Sequence, residues 1–166
     1  HVKITFSPGE ADGLTFTQSV VGGSVPKGFY PAVEKGLLEA MQKGVLAGFP
    51  VVKLAADLFD GSYHPVDSNE ISFKLAAKLA YKEGLPKANP VILEPVGTLK
   101  VRVPDGLVGD VIGDLNKRRG RVLGMNPDEH AKGRTIVEAE VPMAEMSGYT
   151  IALRALSQGR GSFEYE

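Results

Sequence analysis

The sequence predicts an α+β protein made of two small domains, and three observations carry that reading. Short stretches of period-two alternation are interleaved with stretches of helical periodicity, and neither pattern dominates. All the arginine is confined to the later part. Up to Pro95 there are nine lysines, ten acids and no arginine, whereas from Val96 onward there are three lysines, seven arginines and ten acids. The proline-bracketed segment Asn89-Pro90-Val91-Ile92-Leu93-Glu94-Pro95 sits at that change. It reads as a short extended exit, dividing the chain into domains 1–95 and 96–166. With 166 residues the chain has room for two such units.

In the first domain, His1-Val2-Lys3-Ile4-Thr5-Phe6 alternates polar and apolar as a half-buried strand does. Pro8-Gly9 and Asp12-Gly13 mark a turn and Leu14-Thr15-Phe16-Thr17 resumes the alternation, so a hairpin is predicted. Gly22-Gly23 and Pro26-Lys27-Gly28 break the chain before Pro31, which suits the first turn of a helix. Val33, Leu37, Ala40 and Met41 share one face of that helix, which ends near Gly44. Val51 to Phe59 is a mostly apolar strand. A second helix follows, with Ile71, Leu75, Ala76, Leu79 and Ala80 as its expected buried stripe, closing around Gly84-Leu85-Pro86.

The second domain is cleaner. Thr98 to Val103 alternates as a strand, and Leu107, Val108, Val111, Ile112 and Leu115 mark a helix. Arg121 to Met125 and Ile136 to Val141 are strand-like, with a turn starting at Asn126-Pro127-Asp128. Met146, Tyr149, Leu153 and Leu156 indicate a helix ending near Gly159, and Ser162 to Tyr165 alternates again. The order β-α-β-β-α-β is the ferredoxin-like split motif.

Composition excludes several classes. There is no cysteine, which removes disulfide scaffolds, thiolate metal sites and cysteine nucleophiles and agrees with a cytoplasmic protein. No apolar run approaches the roughly 20 residues of a membrane helix. A net charge of −1 advertises no global affinity for nucleic acid such as DNA. The chain opens on His1 rather than methionine and enters a strand pattern at once, which reads as a piece of a longer protein. No phosphate loop or dinucleotide fingerprint occurs. His1, His64 and His130 are too scattered for a zinc site, so no metal ligand and no catalytic residue is assigned. Ser62, His64 and Asp67 are too close on one loop for a hydrolytic triad, and no nucleophile elbow accompanies them.

The chain is organised around Asp60-Gly61-Ser62-Tyr63-His64-Pro65-Val66-Asp67-Ser68-Asn69-Glu70. Asp60-Gly61 is a turn pair, Pro65 forbids helix just before it, and Asp67 with Glu70 has the spacing of a capping box. The predicted result is a short, bracketed loop presenting Gly61, Ser62, Tyr63 and His64. His64 there is either a solvated or bracing loop residue, or a residue that stacks on or bonds to RNA together with Tyr63. Two basic segments each carry a plain reading and a functional one, and for the second the plain reading is preferred. Lys117-Arg118-Arg119-Gly120-Arg121 ends a helix, where cations suit the dipole, and its guanidiniums also match phosphate. Gln158-Gly159-Arg160-Gly161-Ser162 reads as a helix C-cap and turn, or as a turn that adds Arg160 as a phosphate contact.

The segments GGSVPKGFYPAVEKGLLEAM, GFPVV, LFDGSYHPVDSNEISFKLA, NPVILEPV, GDVIGDLNKRRGRVLGMNP, VPMAEMSGY and QGRGSF, in this order and without large gaps, are similar to elongation factor G. The resemblance covers essentially the whole chain and implies its domain IV, truncated at the start, followed by domain V. It implies a left-handed β-α-β ribosomal-protein-like fold for the first and a ferredoxin-like fold for the second. It further implies a parent that is a ribosome-dependent GTPase moving tRNA and mRNA, with GTP and magnesium bound in domains outside this chain and no cofactor or catalysis within it. The implied partners are the small-subunit decoding site for Gly61 to His64, and large-subunit RNA and the stalk base for the basic residues Lys117, Arg118, Arg119, Arg121 and Arg160. The chain departs from the family in lacking the glycine-rich first tip loop and the C-terminal extension. Its spelling also differs around Gly97-Thr98, Asp128 to Arg134 and Ala155-Leu156-Ser157. A paralogue acting in ribosome recycling or antibiotic protection, and a stand-alone ferredoxin-like binding module, are the alternatives.

Overall fold

A computed structural model describes residues 1–166. They form two units, His1–Ile92 and Leu93–Glu166, each with its own core. The fold class is α+β, as predicted.

In the first unit, β1 (Val2–Pro8), β2 (Leu14–Gln18) and β3 (Leu54–Gly61) make a sheet in the order β1-β3-β2. The predicted hairpin is absent: β1 pairs antiparallel and β2 parallel with β3, which lies between them. The reason is local contact with a strand that arrives much later in the chain. The Gly9 amide donates to the Lys53 carbonyl at 2.7 Å and the Lys53 amide to the Asp12 carbonyl at 3.1 Å, so the turn pins the start of β3 in the middle. A Cβ at Gly9 would stand 3.0 Å from the Leu54 carbonyl carbon, which explains the glycine. The central place goes to the strand that buries Leu54, Ala56 and Leu58. That strand starts at Leu54 rather than Val51, because Lys53 takes a left-handed φ of 54°. It runs on through Asp60-Gly61, which is paired backbone rather than a turn: Gly61 faces Val2.

Helix α1 (Tyr30–Ala40) carries Pro31 in its first turn and buries Val33 and Leu37, with Met41 buried just beyond it. It crosses between the parallel strands β2 and β3, giving a β-α-β unit. Helix α2 (Glu70–Gly84) differs from expectation in two ways. Its inward face is Phe73, Ala77 and Tyr81, while Ile71, Leu75 and Leu79 are 68%, 55% and 67% exposed. Period alone did not separate two apolar faces. What selects between them is close helix packing at Gly36, where a Cβ would meet the Lys74 carbonyl at 2.5 Å and Ala77 Cβ at 3.1 Å. Lys74 and Lys78 complete that seam by both gripping Glu39, at 2.5 and 2.6 Å. The capping box also moves, from Asp67 and Glu70 to Asn69 and Ser72. Asn69 Oδ1 accepts the Ser72 amide at 2.8 Å, and the Ser72 hydroxyl faces the Asn69 amide. Asp67 lies inside the His64–Ser68 turn, where its amide and that of Ser68 donate to the His64 carbonyl, so the helix starts only at Glu70 and the cap falls to Asn69.

The second unit has the predicted order of β4 (Val96–Pro104), α3 (Val108–Lys117), β5 (Arg121–Pro127), β6 (Arg134–Pro142), α4 (Tyr149–Ser157) and β7 (Ser162–Tyr165). Its sheet runs β5-β6-β4-β7 with every pairing antiparallel, which is the ferredoxin-like arrangement. β5 continues through Asn126-Pro127, where a turn was expected. Leu99, Val101, Val103, Val137, Ala139 and Val141 form the inner face against Val111, Leu115, Tyr149 and Leu153. The alternate residues form ion pairs across strands: Lys100 with Glu138, Arg102 with Glu164, and Arg121 with Glu140.

Candidate nucleic-acid interface

The loop from Ser62 to Asn69 joins the end of β3 to the cap of α2. Its entry is fixed where the Ser62 amide donates to the His1 carbonyl at 3.0 Å. A Cβ on Gly61 would meet that carbonyl oxygen and Val25 at 2.5 Å, so only glycine admits this approach. Beside it, Lys3 Nζ binds Asp60 at 2.8 Å. That hydrogen bond, helped by the Gly61 amide, lowers the Asp60 carboxyl to about 2.

Tyr63 packs its ring on Phe29, with centroids 5.6 Å apart and planes 33° apart. Phe29 in turn stacks on buried Phe73 at 4.7 Å and 27°. His64 follows and points the other way in chemical terms: it is exposed, and its imidazole has no hydrogen-bond or ion-pair partner. Its backbone is nonetheless held firmly. The His64 amide donates to Ser68 Oγ at 2.9 Å, while its carbonyl accepts the amides of Asp67 at 3.1 Å and Ser68 at 2.8 Å. A rigid backbone carrying an uncommitted imidazole offers a donor, an acceptor and a flat face to a partner. Ser62, Tyr63 and His64 are therefore adjacent but unlike: Ser62 is half-buried, Tyr63 is half-committed to packing, and only His64 is free.

The basic run is arranged differently. Arg118 is 17% exposed, donates from Nε to Asp114 at 2.9 Å and from Nη1 to the Glu145 carbonyl at 2.5 Å, and lies 4.9 Å over the Tyr149 ring. Arg119 takes a φ of 58° and makes a two-pronged bond to Glu94, at 2.5 and 3.0 Å, with a third bond to Glu145 at 2.9 Å. Those bonds, Glu94 first, raise its pKa and lower that of Glu94. Arg121 binds Glu140 across the sheet at 2.7 Å. Lys117, at the end of α3, is exposed and has no ion pair.

Arg160 is also exposed and its guanidinium is unpaired. Its turn is built from the left-handed residues Gln158 and Gly159, and its carbonyl accepts a bond from Arg134 Nη2. The sheet does not bring Arg160 together with the run at 117–121. Arg134 beside it opens β6, whereas Glu140, the partner of Arg121, lies six residues on, about 20 Å along the strand.

Sequence reasoning missed Phe29, Asn69, Ser72 and the partners Glu94, Glu140 and Glu145. The i,i+4 spacing of Asp114 and Arg118 was a readable signal. Asn69 with Ser72 also has a local cap spacing, one that competes with Asp67 and Glu70, whereas Phe29 and the glutamates depend on register and loop geometry. No group of three or more His, Asp or Glu stands close enough to hold a metal ion.

Residues 1–89 match the family model "Elongation factor G, domain IV", and residues 91–166 match "Elongation factor G C-terminus". A crystal structure of a protein from Thermus thermophilus superposes with a TM-score of 0.84 at 43% identity. The match covers 99% of this chain and 24% of that one, so the chain spans about a quarter of its relative's length.

Proposed function

The chain belongs to the elongation factor G family, and on that premise we propose that it is the ribosome-contacting part of a GTP-driven factor that moves tRNA and mRNA during elongation. In this reading the first unit enters the small-subunit decoding site, where the loop occupies vacated space and biases the RNAs against return. The observation that carries it is His64: a backbone braced by Ser68 and a side chain left without an internal partner. On a loop whose backbone is held, an imidazole that makes no bond within the chain is free to bond a partner outside it.

The second unit then lies against large-subunit RNA and the stalk base. Lys117 and Arg160 are the cations ready for phosphate. Arg118, Arg119 and Arg121 reach it only by giving up or sharing a carboxylate. In this reading GTP and magnesium are bound by other domains of the parent, and the phosphate-loop pattern that would hold them is sought there.

His64→Ala in the full-length parent is expected to slow the GTP-dependent gain of puromycin reactivity of pre-translocation ribosomes by about tenfold. Ribosome-stimulated GTP hydrolysis should stay near the parental rate. Equal loss of both would refute the wedge role. GTP hydrolysis by the unaltered parent with no gain of reactivity would assign the loop to another ribosomal task, such as recycling or antibiotic protection.

A further inference from the structure

The geometry points to Phe29 and Tyr63 as positioning residues for His64, joined to the buried Phe73 in a three-ring stack that sets where the imidazole stands. This rests on the reading of His64 as the RNA-facing residue. Most of the loop has no other hold on the core: Val66 is 93% exposed, and Pro65, Asp67 and Asn69 are exposed as well. The turn from His64 to Ser68 stiffens the loop, and the Ser72 hydroxyl of α2 ties its far end to the helix start by donating to the Asp67 carbonyl at 3.0 Å. Attachment comes from the ends and from the one side chain that packs inward, Tyr63, immediately before His64.

The stack is built from three separate elements. Phe73 is 2% exposed on the inward face of α2. Phe29 ends a 3-10 turn, Lys27–Phe29, whose Phe29 amide is tied to the Pro26 carbonyl at 3.0 Å directly ahead of α1. Tyr63 closes the stack from the solvent side. With one face of its ring covered by Phe29 and no hydrogen bond to its hydroxyl, Tyr63 works through its ring. It is an anchor rather than a base-stacking surface. Offset aromatic packing of this kind favours one placement of the rings over its neighbours. The chain direction at Tyr63 then determines the direction in which His64 leaves.

The test uses the 166-residue chain and amide hydrogen exchange measured by NMR, read at Asp67 and Ser68, whose amides bond to the His64 carbonyl, and at His64 itself. Tyr63→Leu and Phe29→Leu are expected to speed exchange at these three positions by about tenfold, with the amides of β3 unchanged. Tyr63→Phe, which keeps the ring, is expected to restore unaltered protection. Phe29→Leu touches the core, so Tyr63→Leu serves as the variant that spares it. Titration with an RNA hairpin carrying a decoding-site internal loop supplies the second readout. His64 shifts should weaken severalfold in Tyr63→Leu and be retained in Tyr63→Phe. Unchanged exchange in Tyr63→Leu would overturn the anchor. So would RNA binding lost in Tyr63→Phe with the loop still protected, because that places the hydroxyl on the RNA. Faster exchange in Tyr63→Leu in a chain that shows no RNA response at all would uphold the anchor and sink the reading of His64.

Discussion

The loop at Ser62–Asn69 and the run at Lys117–Arg121 both place polar residues at a helix end, yet they use them in opposite ways. The loop satisfies its own backbone, through the His64–Ser68 turn and the Asn69 cap, and leaves the His64 side chain idle. The run does the reverse. Arg118, Arg119 and Arg121 commit their guanidiniums to Asp114, Glu94, Glu145 and Glu140, and only Lys117 stays uncommitted. A count of positive residues would rank the run as the stronger RNA contact. The distribution of partners ranks it second, because a paired guanidinium must break a bond before it makes another. Availability, more than charge, distinguishes the two regions.

Four experiments would break or sharpen that contrast. The largest effect is expected at the base of the aromatic stack. Phe73→Ala should destabilise the first unit by about 3–5 kcal/mol, read as an early loss of its amide signals in urea. A small effect there would mean that the loop stands on its own turn and not on the core. Next, Arg118→Ala should cost about 1–2 kcal/mol in the second unit, since it leaves the Glu145 carbonyl short of a donor and uncovers the Tyr149 ring. A denaturation midpoint unchanged by this substitution would free Arg118 for phosphate after all.

The third concerns acid. Lys3 holds the folded-state pKa of Asp60 at about 2, below its ordinary 3.8. A depressed carboxylate contributes stability that is fully present above the unfolded value and is lost as pH falls through the folded one. The brace at the loop entry should therefore weaken between about pH 4 and about pH 2, and Asp60→Asn should flatten hydrogen exchange at Ser62 across that window. Because the pair is exposed, added salt should shrink the effect. The smallest change is expected at single cations. Lys117→Ala and Arg160→Ala should each lower the salt dependence of RNA binding by about one unit of slope, while Arg121→Ala should leave it nearly unchanged. Equal slopes for all three would show that the Glu140 pair opens freely and would erase the contrast drawn above.

Much of the architecture was readable from spacing. The helix entered at Pro31, the alternation of β4 and β6, and the order β-α-β-β-α-β all follow from rules that act within a few residues. The same rules failed wherever two distant segments had to be matched. Leu14 to Gln18 has the alternation of a strand, but nothing in those residues says that its partner is β3 and not β1. At the candidate site, the loop and His64 were visible in Pro65 and the polar cluster. The cap at Asn69 was not, because Asp67 with Glu70 fits the same spacing and only the folded His64–Ser68 turn delays the helix start to Glu70.

By itself, then, the sequence determined which stretches become helices and strands, to within a few residues at their ends, and where positive charge gathers. Those are consequences of backbone sterics and of periodicity, which are local. Tertiary structure alone decided the centre of the first sheet, which face of α2 turns inward, and which cations remain free. The inward face of α2 hangs on Gly36 meeting Lys74 and Ala77, and the fate of Arg121 on its register opposite Glu140. Both are contacts between residues far apart in the chain, and such contacts exist only once the chain has closed on itself.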